Sequence, residues 1–321
     1  MKILFVDLID WDYDIASPLE RSLGGSQSAL CYLAQELVAR GHKVSLICGT
    51  SRPGEILGID CVSFKSIPQD YIKQFDRVIA LNGPAELCRN LRPHMAPGVP
   101  LVLWNQHAHD QPAMFGLRDP QVRAGWDWIV VVTDLHRQLM IEHYGLDPTR
   151  ISVIKNAMSP LFERLFSDAD ELRHAKAGPP ILTFTSTPFR GLDILLYAFP
   201  QIRAEFPEAR LHVYSSMTVY QQSPQNDPYS TLYKIARSLP NCLYVGSISQ
   251  PRLAAELRRS SILAYTNTFA EMACISVMEA MAAGLYVVTT DLGALSDTMM
   301  GFGTLVPPVS ETPTELTGPS V

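Results

Sequence analysis

The chain has 321 residues, 47% of them hydrophobic and 18% charged, which is too apolar for disorder and too long for one small core, so one large or two medium α/β domains are expected. A formal net charge of −6 gives no general basic footprint and excludes nucleic acid as an expected partner. Six scattered cysteines without a CxxC pair read as reduced core residues of a cytoplasmic protein, MKILFVDL does not have the form of a signal peptide, and no apolar run has the length of a membrane span.

Short apolar runs alternate with amphipathic stretches, the pattern of parallel strands joined by helical crossovers. In the first half strands are expected at 2–8, 43–48, 77–81, 100–104, 128–133 and 151–154. A helix lies between the first two, with Leu30, Leu33, Ala34, Leu37 and Val38 on one stripe and Gly41 at its C-cap. The polar stretch 167–180 reads as a linker between an N-terminal Rossmann-like domain at 1–166 and a second at 181–308, followed by a flexible tail at 309–321. Strands of the second domain are expected at 181–186, 210–214, 242–245, 262–265, 285–290 and 304–306. Doubly wound sheets bind ligands at the carboxyl ends of their strands.

Four segments fall at such ends. Gly24-Gly25-Ser26-Gln27 follows the long loop 9–24 and precedes the first helix, where free N–H groups and the helix dipole suit a phosphate or an acceptor; a tight turn with a serine cap is the plain alternative. Trp104-Asn105-Gln106-His107-Ala108-His109-Asp110 crowds polar groups after an apolar strand, and His107 and His109 suit sugar hydroxyls better than a metal. Thr185-Ser186-Thr187-Pro188-Phe189-Arg190-Gly191 offers hydroxyls and one cation to a diphosphate, with Arg190 placed to neutralise a departing nucleotide. The stretch 269–284 reads as a helix that is apolar almost all round except for Glu271 and Glu279. Carboxylates in such surroundings are paired or bind a ligand, and free N–H groups near Cys274, Ile275 and Ser276 face a phosphate; a cap at Glu271 and an ion pair at Glu279 are the structural alternative.

Glutamates separated by seven residues and followed by Ala-Met-Ala-Ala-Gly resemble the signature of the retaining family 4 glycosyltransferases, the glycosyltransferase group 1 enzymes of the GT-B fold. Gly24-Gly25-Ser26, the run ISVIKNA at 151–157, Arg190-Gly191-Leu192-Asp193 and Asp291-Leu292-Gly293-Ala294-Leu295 resemble further elements of that family, in its order. The resemblance implies an α/β protein of two facing Rossmann-like, doubly wound domains with an interdomain cleft. It implies transfer of a sugar, with retention and without a metal, from a nucleotide-diphosphate sugar to a carbohydrate or lipid-linked acceptor. Glu271 would contact the donor sugar, Glu279 the ribose, Arg190 the diphosphate, and His107 the reacting centre. Gly24, Gly25, Ser26, Ser186, Thr187, Gly246, Cys274, Ile275 and Ser276 complete the expected donor site, and Gln27, Asn105 and His109 the acceptor side. No resident cofactor is expected; a UDP- or GDP-sugar is the co-substrate.

Three departures from the family accompany this reading. Ser186 stands where a second basic residue is usual, Met272-Ala273-Cys274 replaces an aromatic-Gly pair, and VPPVSETPTELTGPSV takes the place of closing helices, as in a truncated member. A nucleotide-sugar epimerase and a binding module that has lost catalysis therefore stay open. Weak peripheral membrane contact is also considered for 85–95, with Arg89, Arg92 and His94 beside Leu87, Leu91 and Met95, against an ordinary crossover helix.

Overall fold

The structure is a computed structural model that describes residues 1–308. The expected tail at 309–321 lies outside the described residues. The chain divides into two compact units: Met1–Pro18 with Gly25–Asn156, and Leu19–Gly24 with the chain from Ala157 onward.

The first unit is built on an eight-stranded sheet in the order β3-β4-β2-β1-β5-β6-β7-β8. Its elements run β1 (Lys2–Val6), α1 (Ser17–Glu20, where the division of the chain falls after Pro18), α2 (Gly25–Ala39), β2 (Lys43–Cys48), β3 (Gly54–Ile56), β4 (Ile59–Ser63), β5 (Arg77–Leu81), α3 (Leu87–Leu91), β6 (Leu101–Trp104), α4 (Pro120–Gly125), β7 (Trp128–Val131), α5 (Asp134–Tyr144) and β8 (Ile151–Val153). All neighbours pair in parallel except β3 with β4. The six expected strands form, four of them one or two residues shorter than read. The β3–β4 hairpin was not expected, because its turn is Leu57-Gly58, both at positive φ (51° and 76°), and leucine is not a residue that announces such a turn. The apolar face of α3 is spent inside the unit: Leu87, Leu91 and Met95 belong to its core, while Arg89 pairs with Asp119 and Arg92 with Asp127 at 2.5 Å each. That is the arrangement of an ordinary crossover helix and leaves no amphipathic membrane-binding face there.

The second unit carries a six-stranded parallel sheet in the order β11-β10-β9-β12-β13-β14. Its elements are α6 (Ala169–Ala175), β9 (Ile181–Phe184), α7 (Leu192–Glu205), β10 (Arg210–Val213), α8 (Ser230–Ser238), β11 (Cys242–Tyr244), α9 (Gln250–Arg259), β12 (Ile262–Tyr265), α10 (Ile275–Ala282), β13 (Tyr286–Thr290), α11 (Leu295–Met299) and β14 (Thr304–Val306). The division of the chain falls after Asn156 and not in 167–180, where the structure has a capped helix in place of a linker. The Asp168 carboxylate accepts from the N–H groups of Asp170 and Glu171, the Glu171 carboxylate accepts from the Ser167 N–H at 2.6 Å, and Arg258 of α9 pairs with Glu171. The charged residues read as a linker are thus the capping and docking groups of α6. Among the described residues no helix is long and apolar enough to cross a membrane, and the six cysteines are free, with Cys242 half-buried and the others buried.

Candidate functional site

In the second unit the strand order reverses between β9 and β12, which are neighbours in the sheet although about 80 residues apart in the chain. The segments leaving these two strands meet. After β9 the chain makes a tight turn at Pro188–Arg190 and passes through Gly191 at φ 96°. A Cβ at Gly191 would stand 1.8 Å from the Thr266 carbonyl oxygen, so only glycine lets this turn lie against the segment after β12. Glu271 forms an isolated parallel bridge with Gly293, another glycine at positive φ whose Cβ would meet the Glu271 backbone at 2.4 Å. Across this junction Arg190 Nη1 donates to Glu271 Oε1 at 2.7 Å, and the Tyr265 hydroxyl, at the end of β12, donates to the same oxygen at 2.6 Å. The guanidinium lies 4.8 Å from the Phe269 ring centroid and 5.5 Å from that of Phe189. Burial is the largest influence on the Arg190 pKa and lowers it, but Glu271, followed by Tyr265, Tyr220 and Cys274, together outweigh it and raise the pKa above its ordinary value, so the cation is secure.

Glu271 is therefore not part of the helix that bears Glu279. The helix begins at Ile275, and Glu271 precedes it in the bridged segment. The N-cap is Cys274, whose side chain makes no capping hydrogen bond. The Ser276 hydroxyl donates to the Thr185 carbonyl at 3.1 Å, which ties the first turn of α10 to the end of β9. The helix start thus presents backbone donors beside the 185–190 turn, the geometry that binds anions. One turn further on, Glu279 is 3% exposed. Its Oε1 has no hydrogen-bond partner, and burial pushes its pKa up to about 8 against the lowering effect of Gln250. The hydroxyls of Thr185, Thr187 and Ser215 are likewise buried without partners, whereas Ser216 bonds Ser247 at 2.8 Å. Ser186 lies 3.4 Å from the Tyr265 hydroxyl, and Gly246 follows β11 at φ 81°.

The polar groups expected in the first unit also collect at strand ends, but they mostly bind one another. Asp7, directly after β1, accepts from Tyr13 at 2.7 Å, Gln27 at 3.0 Å and the Ile9 N–H at 3.2 Å. Gln27, 4% exposed, and Asn105, fully buried, were expected on the acceptor side, and both bond to groups of their own unit. The Asn105 amide donates to the His107 carbonyl at 3.0 Å and lies 3.2 Å from His136 Nε2, while its carbonyl accepts from the His107 N–H. His107 Nδ1 meets Gln111; burial lowers its pKa, opposed by Gln111 and Asp7. His109 packs its ring 5.1 Å from that of His143. The glycine segment differs from its reading too: α2 starts at Gly25, so Ser26 is inside the helix, and its hydroxyl donates to Gln106 at 3.2 Å, an oxygen that Asn156 also reaches at 2.9 Å. Gly24 is buried and Gly25 exposed.

Sequence reading did not single out Tyr265, Gln250, Asp7 or His136. Tyr265 and Asp7 carried a usable signal, a polar tip ending an apolar strand at a switch point. Gln250 and His136 matter only through tertiary neighbours.

Residues 179–317 match the family model described as glycosyl transferases group 1. A D-inositol 3-phosphate glycosyltransferase of Rhodococcus erythropolis is 27% identical over 195 residues, which cover 58% of this chain and 43% of that protein, so the chain matches less than half the length of this relative. Among solved structures, a glycosyltransferase of Rickettsia africae superposes with a TM-score of 0.68 at 16% identity, covering 96% of this chain and 84% of that one. Anabaena Alr3699/HepE in complex with UDP-glucose superposes with a TM-score of 0.67 at 18% identity, covering 96% and 86%. The second unit is thus the part of the chain that is similar to the glycosyl transferases group 1, and the chain has the fold of the GT-B glycosyltransferases.

Proposed function

We propose that this chain transfers a sugar, with retention of configuration, from a nucleotide-diphosphate sugar to an acceptor hydroxyl. The observation that carries the reading is Glu279: a buried carboxylate with one bare oxygen, on a helix whose first turn offers free backbone donors and which follows the switch point of a doubly wound sheet. Buried polar groups are almost always satisfied, so a bare carboxylate oxygen in such a place calls for a donor from outside the chain. The vicinal hydroxyls of a ribose supply two. The amides of Ile275 and Ser276 and the Arg190 guanidinium then face the diphosphate, and Glu271 the transferred sugar.

In this reading, charge that develops on the leaving diphosphate meets a fixed cation and a helix N-terminus, which stabilise it without a metal. Attack from the face that the leaving group vacates retains configuration, with the diphosphate taking the acceptor's proton. The glycosyl transferases group 1 match and a solved neighbour bound to UDP-glucose support a nucleotide-sugar donor. A cytoplasmic site of action and a carbohydrate or lipid-linked acceptor belong to the same proposal.

A thermal-shift panel of UDP, GDP, ADP and their sugars tests it, because a ligand that binds only the folded state raises the melting temperature. One nucleotide should raise it by several degrees at saturation; no shift with any of them contradicts the proposal.

A further inference from the structure

We infer that Tyr265 is a positioning residue of the donor site: with Arg190 it saturates one oxygen of Glu271 and so aims the other at the donor sugar. The inference rests on the proposed function. Tyr265 is 1% exposed, and its ring packs edge-on against Phe184 at 5.9 Å, so its hydroxyl is delivered from a rigid strand end. Burial, then the charge of Glu271, raise its pKa well above the ordinary value, so it is a permanent donor. Glu271 Oε1 receives both Tyr265 and Arg190, two donors for its two lone pairs, whereas among the described residues Oε2 makes no hydrogen bond.

A plainly structural role explains this less well. The backbone of Glu271 is already fixed by the bridge to Gly293 and by its carbonyl, which accepts from the Ala294 N–H at 2.6 Å. What Tyr265 adds is the rotation of the carboxylate. The side chain of Ser186, at the place expected to hold a second cation, lies 3.4 Å from the same hydroxyl. With one cation in place of two, a carboxylate held by Arg190 alone has a pivot; the phenol removes it.

The test compares wild type and Tyr265→Phe by calorimetry, using UDP-glucose, GDP-mannose and ADP-glucose beside the free nucleotides. Phenylalanine keeps the ring packing, and a melting curve checks that the variant is folded. Tyr265→Phe should weaken the nucleotide sugar about tenfold, the low end for a hydrogen bond to a charged group, and leave the free nucleotide within about twofold. In a Glu271→Ala background the same change should add nothing. Glu271→Gln, which keeps an oxygen for Arg190 and Tyr265 but turns an amide toward the sugar, should lose the preference for the sugar as well. An unchanged ratio of the two affinities in Tyr265→Phe, or an equal loss in the Glu271→Ala background, overturns the inference. A wild type that binds no nucleotide overturns the proposed function, and the inference with it.

Discussion

Asp7 and Glu279 are both 3% exposed carboxylates, one in each unit, yet they are treated differently by their surroundings. Asp7 receives three donors from its own unit, a phenol, an amide and a backbone N–H. Glu279 has the Gln250 side chain and otherwise a bare oxygen. Burial raises the pKa of both, that of Glu279 to about 8. A buried acid whose bonds close within the fold is a structural part; one whose bonds stay open is kept for something else. The contrast separates two sets of strand-end polar groups that composition and spacing alone present as equivalent.

The largest expected effect falls on Glu279. Replacing it by glutamine should weaken nucleotide binding about a hundredfold, as expected for two hydrogen bonds to a charged acceptor, while the melting temperature stays level near neutral pH, where the buried carboxyl still holds its proton. Asp7→Ala should do the reverse. It strands the Tyr13 hydroxyl and the Gln27 amide without an acceptor, at a cost of about 3 kcal/mol of folding stability measured by denaturant unfolding, with nucleotide affinity within about twofold of wild type. If both variants lost binding and stability together, the comparison would be broken.

A smaller effect appears in pH dependence. The folded-state pKa of Glu279 lies near 8, above its ordinary 4.5, so the folded protein holds this proton more tightly than the unfolded chain does. The stability that follows is fully present below pH 4.5 and is lost as pH rises toward and through 8. Wild type should therefore lose stability across that window relative to Glu279→Gln, in melts taken side by side. His136 acts at the other end. Its pKa is lowered by burial to about 4, so its contribution is present above about 6.5 and disappears as pH falls through 4. His136→Gln should flatten the acid limb only.

Much of the fold was legible. The apolar runs found all the central strands because buried parallel strands carry their signal in every residue. What failed was local chemistry read as composition: Asp168 and Glu171 cap α6 and dock it to Arg258, although their charges had suggested a linker. In the site, the carboxylates of the 269–284 segment were visible because charge is rare in an apolar stretch. Their division was not. That Glu271 leaves the helix follows from its bridge to Gly293, a contact between segments that no periodicity encodes. That Gln27 and Asn105 turn inward depends on Asp7 and His136 standing where they can receive them.

The most direct test of the account is calorimetric titration of wild type and Glu279→Gln with UDP, GDP and ADP at pH 7 and pH 8.5. With Glu279 assigned to the ribose, whose hydroxyls would bond the ionised carboxylate, wild type should bind one nucleotide more tightly at the higher pH and release a proton on binding at the lower, while the glutamine variant, folded, binds about a hundredfold more weakly with no such pH dependence. Equal affinity of the two proteins for that nucleotide, at both pH values, would contradict the assignment of Glu279 to the donor site.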